Sequence, residues 1–230
     1  MLISSPVIAA GSGSVAGLTL SRNRGGMYLR ARAVPTNPNT LAQQVVRGHL
    51  SDLVVLWGST VTATQRAAWA TYASNTPLTN ALGASFFATG QQMYLRSNIG
   101  RISAGLVRAD NAPTVFDLGG YTNPLVGTVS AAGPTAAILF TNTDLWANED
   151  DSSMLVYLSR PQNATVNYFK GPYKLSGLIN GDASTAPTSP ATITSQFALA
   201  VGQKVFVRVV VTRADGRFSA DFRAFGIVTT

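Results

Sequence analysis

Hydrophobic and polar positions along this chain change period twice. From residue 15 to residue 34 the period is two. Val15-Ala16-Gly17-Leu18-Thr19-Leu20 leads through Ser21-Arg22-Asn23-Arg24-Gly25-Gly26 into Met27-Tyr28-Leu29-Arg30-Ala31-Arg32-Ala33-Val34. A Gly-Gly step permits positive φ at a turn, so the stretch predicts a β-hairpin. In its second strand Tyr28, Arg30 and Arg32 share one face, while Met27, Leu29, Ala31 and Ala33 share the other. That alternation is the mark of a half-buried strand with a cationic outer face. Ahead of it, Ala10-Gly11-Ser12-Gly13-Ser14 has linker composition, and residues 1–14 are expected to form a flexible arm.

Pro35 and Pro38 end the strand, because proline cannot donate to a ladder. The period then becomes helical. Thr40 with Gln43 forms a capping-box pattern, and Val46, Leu50, Leu53, Val54 and Trp57 recur at spacings of three and four, predicting a helix over 41–57. Thr62 and Gln65 repeat the box and open a second helix with Trp69 and Tyr72 on its apolar face. A third helical stretch is expected over 85–104, carrying Phe86, Phe87, Met93, Tyr94 and Ile102, with Gly90 and Gly100 as weak points.

After Asp110-Asn111-Ala112-Pro113 the period returns to two. Short β-type runs are predicted at 126–131, 136–141, 154–159, 166–169, 173–178, 192–197, 204–213 and 217–228, separated by turns such as Asn180-Gly181-Asp182 and Asp215-Gly216. Seven or eight such strands form a β-sandwich. In the run after Gln203, Val205, Val207, Val209 and Val211 alternate with Phe206, Arg208, Val210 and Thr212; with Asp215-Gly216 and Phe218-Ser219 this is similar to the last hairpin of a fibronectin type III-like sandwich. The expected fold class is α+β: an N-terminal hairpin plus about three helices over 15–112, followed by an all-β, fibronectin III/Ig-like sandwich over 113–230.

Charge sharpens this division. Nine arginines and two aspartates precede Pro113, whereas eight basic residues balance eight acids after it, so all of the formal +7 lies in the first part. The first part contains no lysine, unlike a generic solubilising surface. Arginine donates bidentately to carboxylate and phosphate, so Arg22, Arg24, Arg30 and Arg32 are the candidate interaction residues; a solvated strand face is the alternative. Charged residues make up only 12% of the chain, which suits a surface covered by neighbouring subunits better than that of a free monomer. No apolar run reaches the length of a membrane helix, and no basic segment precedes an apolar one at the N-terminus, so neither a membrane partner nor a secretory signal is expected.

Candidate chemistry is sparse. The chain has no cysteine, which excludes disulfides and thiolate metal sites. Its one histidine, His49, does not face Ser51 or Asp52 on a helix, so a catalytic triad there is not expected. Glu149-Asp150-Asp151 lacks the alternate spacing of a calcium loop and reads as a solvated turn. The glycines at 11, 13 and 17 precede a strand rather than follow one, so they are not a dinucleotide motif. No cofactor and no enzymatic activity are expected. Tyr157, Tyr168, Phe169 and Tyr173 are a candidate aromatic platform for carbohydrate, with core packing as the competing expectation.

The string Gly17-Leu18-Thr19-Leu20-Ser21-Arg22-Asn23-Arg24-Gly25-Gly26, followed by Arg30-Ala31-Arg32, Pro35-Thr36-Asn37-Pro38-Asn39-Thr40, Gln44, Arg47 and Thr64-Gln65-Arg66-Ala67-Ala68-Trp69, resembles a group of proteins from tailed bacteriophages, prophages and some environmental bacteria. The resemblance covers residues 11–112. It implies a non-enzymatic virion structural protein that anchors through its N-terminal part, with Arg47 added to the four arginines as an interaction residue. The expected role is capsid decoration or cement. The expected partners are capsid or tail subunits, including further copies of the chain. The alternatives are a tail or neck component, a nucleic-acid-binding protein acting through the arginines, and a carbohydrate-binding adhesive module.

Overall fold

The computed structural model describes residues 2–3, 13–23, 26–34, 36–37, 39–79, 84–169 and 171–230. The chain divides into two compact units, Met1–Gln43 and Gln44–Thr230. The second unit holds the second and third helices and the sandwich together, and the division falls three residues into the first helix.

The first unit is a four-stranded antiparallel sheet in the order β1-β4-β3-β2, from β1 (Leu2–Ile3), β2 (Gly13–Val15), β3 (Leu18–Asn23) and β4 (Gly26–Ala31). The predicted hairpin is β3–β4, closed by the Asn23–Gly26 pair; Arg24 and Gly25 lie outside the described residues. Two short strands, β1 and β2, occupy parts of the stretch expected to be an arm. Met27 is buried and Arg30 and Arg32 are exposed, but the expected inner set does not hold throughout: Leu29 is half-buried like Tyr28, and Ala31 and Ala33 are exposed.

Helix α1 (Leu41–Ser59) begins in the last residues of that unit and continues into the second. Its predicted capping box is present: the Thr40 amide donates to Gln43 Oε1 at 3.2 Å, and the Gln43 amide donates to Thr40 Oγ1 at 3.4 Å. Helix α2 (Ala63–Asn75) carries the same box on Thr62 and Gln65. Strands β5 (Leu78–Thr79) and β6 (Ser85–Phe86) form a small hairpin, and α3 spans Gly90–Ser103. The third helix therefore starts at Gly90, not Ser85. A third capping box, Thr89 with Gln92, sets its start. Gly90 is required there: a Cβ would stand 2.8 Å from the Ala70 amide nitrogen of α2. Phe86 and Phe87, expected on the apolar helix face, are exposed instead.

Trp69, Tyr72 and Tyr94 centre the helical core, with Leu53, Val61, Ala73 and Met93 around them. The Trp69 and Tyr94 rings meet edge-on at 5.6 Å, and the Trp69 indole N–H donates to the Asp110 carbonyl at 2.9 Å. A buried tryptophan thus gains both ring packing and a partner for its donor.

The sandwich consists of β7 (Leu125–Ser130), β8 (Thr135–Leu139), β9 (Ser153–Ser159), β10 (Tyr173–Asn180), β11 (Ala191–Thr194), β12 (Lys204–Thr212) and β13 (Phe222–Thr229). The stretch expected as a strand at 166–169 is loop. These strands form a seven-stranded sheet in the order β10-β9-β12-β13-β7-β8-β11. All neighbours are antiparallel except β13 and β7, which pair in parallel through Val228–Val129 and Thr229–Ser130. The sheet folds over at that junction, and its two edge strands approach: the Gln196 side chain donates to the Leu175 carbonyl at 2.6 Å. One layer holds the first, second and fifth strands; the other holds the third, fourth, sixth and seventh. Relative to the constant-type immunoglobulin arrangement, the fourth strand has changed layers and pairs with the third.

Between the layers the predicted alternation holds. Val205, Val207, Val209 and Val211 of β12 are buried with Met154, Val156 and Leu158 of β9 and with Val129, Ile138, Trp146 and Ile193. The opposite face of β12 is covered as well. Near Lys204 and Phe206 it is covered by the loop before β10, where the Phe169 ring stacks on Phe206 at 5.6 Å. At Thr212 it is covered by α3. Arg101 of α3 is 1% exposed; its guanidinium donates to the carbonyls of Val107 and Arg213 and to Thr212 Oγ1. Burial pushes the Arg101 pKa down, because charge is disfavoured away from water. Gly100 beside it leaves space for the Phe218 ring, which a Cβ would meet at 2.8 Å.

Arg101→Ala is expected to take the guanidinium donor from the Val107 carbonyl and leave a hole behind, lowering stability by about 3 kcal/mol or more, read as a shifted urea midpoint. Tyr94 and Tyr121 ionise only at about 12, mainly because burial disfavours the phenolate. Unfolded tyrosine ionises near 10, so between about pH 10 and 12 the unfolded chain releases protons that the folded chain keeps. Stability is therefore full below that window and falls through it as pH rises. Tyrosinate absorbance followed together with circular dichroism would show both groups ionising only as the fold is lost.

Candidate functional site

Helix α1 is the least covered apolar element of the second unit. Of the predicted stripe, Leu53 is fully buried and Trp57 half-buried, but Val46, Leu50 and Val54 are exposed by 52%, 45% and 43%. The stripe was expected to pack as a whole. The helical core takes in Leu53 and Trp57, both from its C-terminal half. Val45 and Val55 are also exposed. At 100° per residue, Leu53, Val46, Trp57, Leu50 and Val54 fall within one stripe about 100° wide, and Val45 and Val55 lie off it. Contiguous apolar side chains left open on a surface ordinarily mark a place where another molecule packs. Gln44, Arg47, Ser51 and Asp52 are exposed on the rest of its circumference, and half-buried His49 has Nδ1 3.4 Å from Ser103 Oγ.

The arginines singled out from the sequence are distributed as follows. In the hairpin ladder Arg22 pairs with Met27 and Arg30 pairs with Thr19, so the two occupy alternate sets of positions. Arg32 follows β4, and its amide donates to the Gly17 carbonyl at 2.8 Å. Arg24 lies outside the described residues. Arg47 belongs to the second unit.

The acidic run Glu149-Asp150-Asp151 ties loops together rather than forming a plain solvated turn. The Glu149 carboxylate pairs with Arg213, and Asp150 Oδ1 accepts the Ala183 amide at 2.9 Å. Among the described residues no group of three or more His, Cys, Asp or Glu is arranged to hold a metal ion, and no helix is long and apolar enough to cross a membrane.

The four aromatics considered as a platform gather on the outer face of the four-stranded layer, not in the sandwich core. Register places Tyr157 beside Arg208, and Arg208 beside Arg223. The Arg208 guanidinium lies 4.8 Å over the Tyr157 ring and pairs with Asp221 at 2.9 Å. Burial raises the pKa of the Tyr157 and Tyr173 hydroxyls. The Tyr173 hydroxyl donates to the Phe169 carbonyl at 3.1 Å. Tyr168, next in the loop, is 72% exposed and borders an open pocket of about 160 Å³ with Arg223 and Phe225. Two larger open pockets, of about 430 and 410 Å³, lie beside Tyr121 and Asp221 and beside Arg108 and Asp215. The residues that sequence reasoning missed are Arg208, Asp221, Arg223 and Phe225; the only signal for them was the outward set of the β12 and β13 alternation.

The uneven coverage of α1 gives a stability contrast. Leu53→Ala is expected to cost about 3 kcal/mol, and Leu50→Ala three residues earlier less than about 1 kcal/mol, measured by urea unfolding.

No family model matches the chain, and neither does any curated protein or solved structure.

Proposed function

We propose that this chain is a non-enzymatic structural protein of a tailed-phage virion, a capsid decoration or cement protein that docks on other particle subunits and on further copies of itself. The observation that carries this reading is the exposure of Val45, Val46, Leu50, Val54 and Val55 on more than one side of α1. An isolated monomer gains nothing from leaving these side chains in water, whereas an assembly buries them between neighbours. The low charged fraction of the chain supports the same reading. The arginines Arg22, Arg24, Arg30, Arg32 and Arg47 supply charge-assisted contacts to acidic partner surfaces, an assignment that rests on the chemistry of the guanidinium group.

Immunogold labelling of particles purified from the producing culture tests the proposal. Regular label on heads is the expected result. Label confined to tails places the protein in a tail or neck. Unlabelled particles would overturn the structural reading, and salt-dependent DNA binding would replace it. Val46→Gln, Leu50→Gln and Val54→Gln combined are expected to leave the monomer folded while abolishing incorporation into particles, read by co-sedimentation. Replacing Arg22, Arg24, Arg30 and Arg32 with serine is expected to weaken incorporation; unchanged incorporation would remove these arginines from the docking contacts.

A further inference from the structure

We propose that the outer face of the four-stranded layer binds a saccharide that carries a carboxylate. Two large rings are left open there while their neighbours are buried. Tyr168 is 72% and Phe225 53% exposed, although Phe206, against which Phe225 packs at 6.0 Å, is 6% exposed. Between them lies the open pocket of about 160 Å³, with Arg223 in its wall and Asn167 at its rim. An exposed ring offers an apolar face to the C–H face of a sugar. A guanidinium fork matches a carboxylate bidentately.

Local charge selects the acidic class. Arg208 and Arg223 share a single acid, Asp221, and Lys204 Nζ lies 4.6 Å over the Phe225 ring, so this face is cationic in a part of the chain whose net charge is zero. Arg208 engages Asp221 at 2.9 Å and Arg223 approaches it at 3.5 Å, so the acid is held mainly by Arg208 and the Arg223 fork remains available to a ligand.

The site is also held in place before any ligand arrives. The Tyr173 hydroxyl bonds the Phe169 carbonyl, Phe169 stacks on Phe206, and Lys204 Nζ donates to the Val166 carbonyl at 2.8 Å. These contacts fix the loop that carries Tyr168, which limits the entropy lost on binding. The pocket is smaller than a typical drug-sized site, which suits one sugar ring at the end of a chain. A nucleic acid strand would need a run of cations along its backbone, and the neutral sandwich does not provide one.

The test is saturation-transfer NMR on the full chain with sialyllactose and with tetragalacturonate, using lactose and oligothymidylate as controls. Saturable binding of at least one acidic sugar is expected, with lactose weaker by about tenfold. Tyr168→Ala and Arg223→Gln are each expected to weaken it by about tenfold. Tyr168 is 72% and the Arg223 side chain 45% exposed, so circular dichroism and Tm are expected to match the parent. Failure of both acidic sugars to bind at millimolar concentration would overturn the proposal, as would equal binding of lactose, tighter binding of oligothymidylate, or undiminished binding by both variants. The outcome is independent of particle attachment: labelled particles with no sugar binding would leave the structural role standing and remove this site alone.

Discussion

The second unit is organised around one buried cation. Arg101 sits inside the protein with no carboxylate at hydrogen-bond distance among the described residues, and its donors go to the Val107 and Arg213 carbonyls and the Thr212 hydroxyl. A guanidinium stripped of water is tolerated only where enough acceptors replace that water. The acceptors come from the segment after α3 and from the end of β12, so the helices and the sandwich must meet for the cation to be satisfied. Gly100 admits Phe218 at the same contact, and Gly216 brings the β12–β13 turn within van der Waals reach of Ala109, Ser97 and Trp69. The helical core and the sandwich thus belong to a single unit although their compositions differ.

That junction also explains why β12 is buried on both faces. Its valines fill the interlayer core, while its outward residues are covered by α3 at one end and by the loop before β10 at the other. The open area between these covers contains Arg208, Arg223, Asp221 and the neighbouring aromatics. The N-terminal half of α1 is likewise open, with Val45, Val46 and Leu50 exposed. The two exposed regions differ in chemistry. One is an apolar helix surface suited to protein neighbours, and the other is a mixed aromatic and cationic face suited to a small polar ligand.

Much of the local structure was legible in the residues. Thr40-x-x-Gln43 and Thr62-x-x-Gln65 marked helix starts because a capping box is a contact across three residues. The alternation of Val205 to Val211 revealed the inner face of β12 because side chains in a strand alternate strictly. The third helix began later than its apolar residues suggested, since Thr89-x-x-Gln92 and the close approach of Gly90 to α2 outweighed the pattern of Phe86 and Phe87. The stretch 166–169 has strand composition but packs as a loop, with Phe169 on Phe206 rather than in a ladder.

The sequence by itself determined the α+β class, the order of hairpin, helices and β-strands, most helix caps and the inner set of β12. All of these depend on residues within a few positions of one another. Tertiary structure decided the burial of Arg101, the parallel contact of β13 with β7, the exposure of Val46, Leu50 and Val54, and the gathering of Tyr168, Arg223 and Phe225 at one pocket. Each of these joins or separates segments tens of residues apart. An apolar position on a helix says that burial is favourable, but only the length and placement of the neighbouring elements decide whether anything is there to bury it.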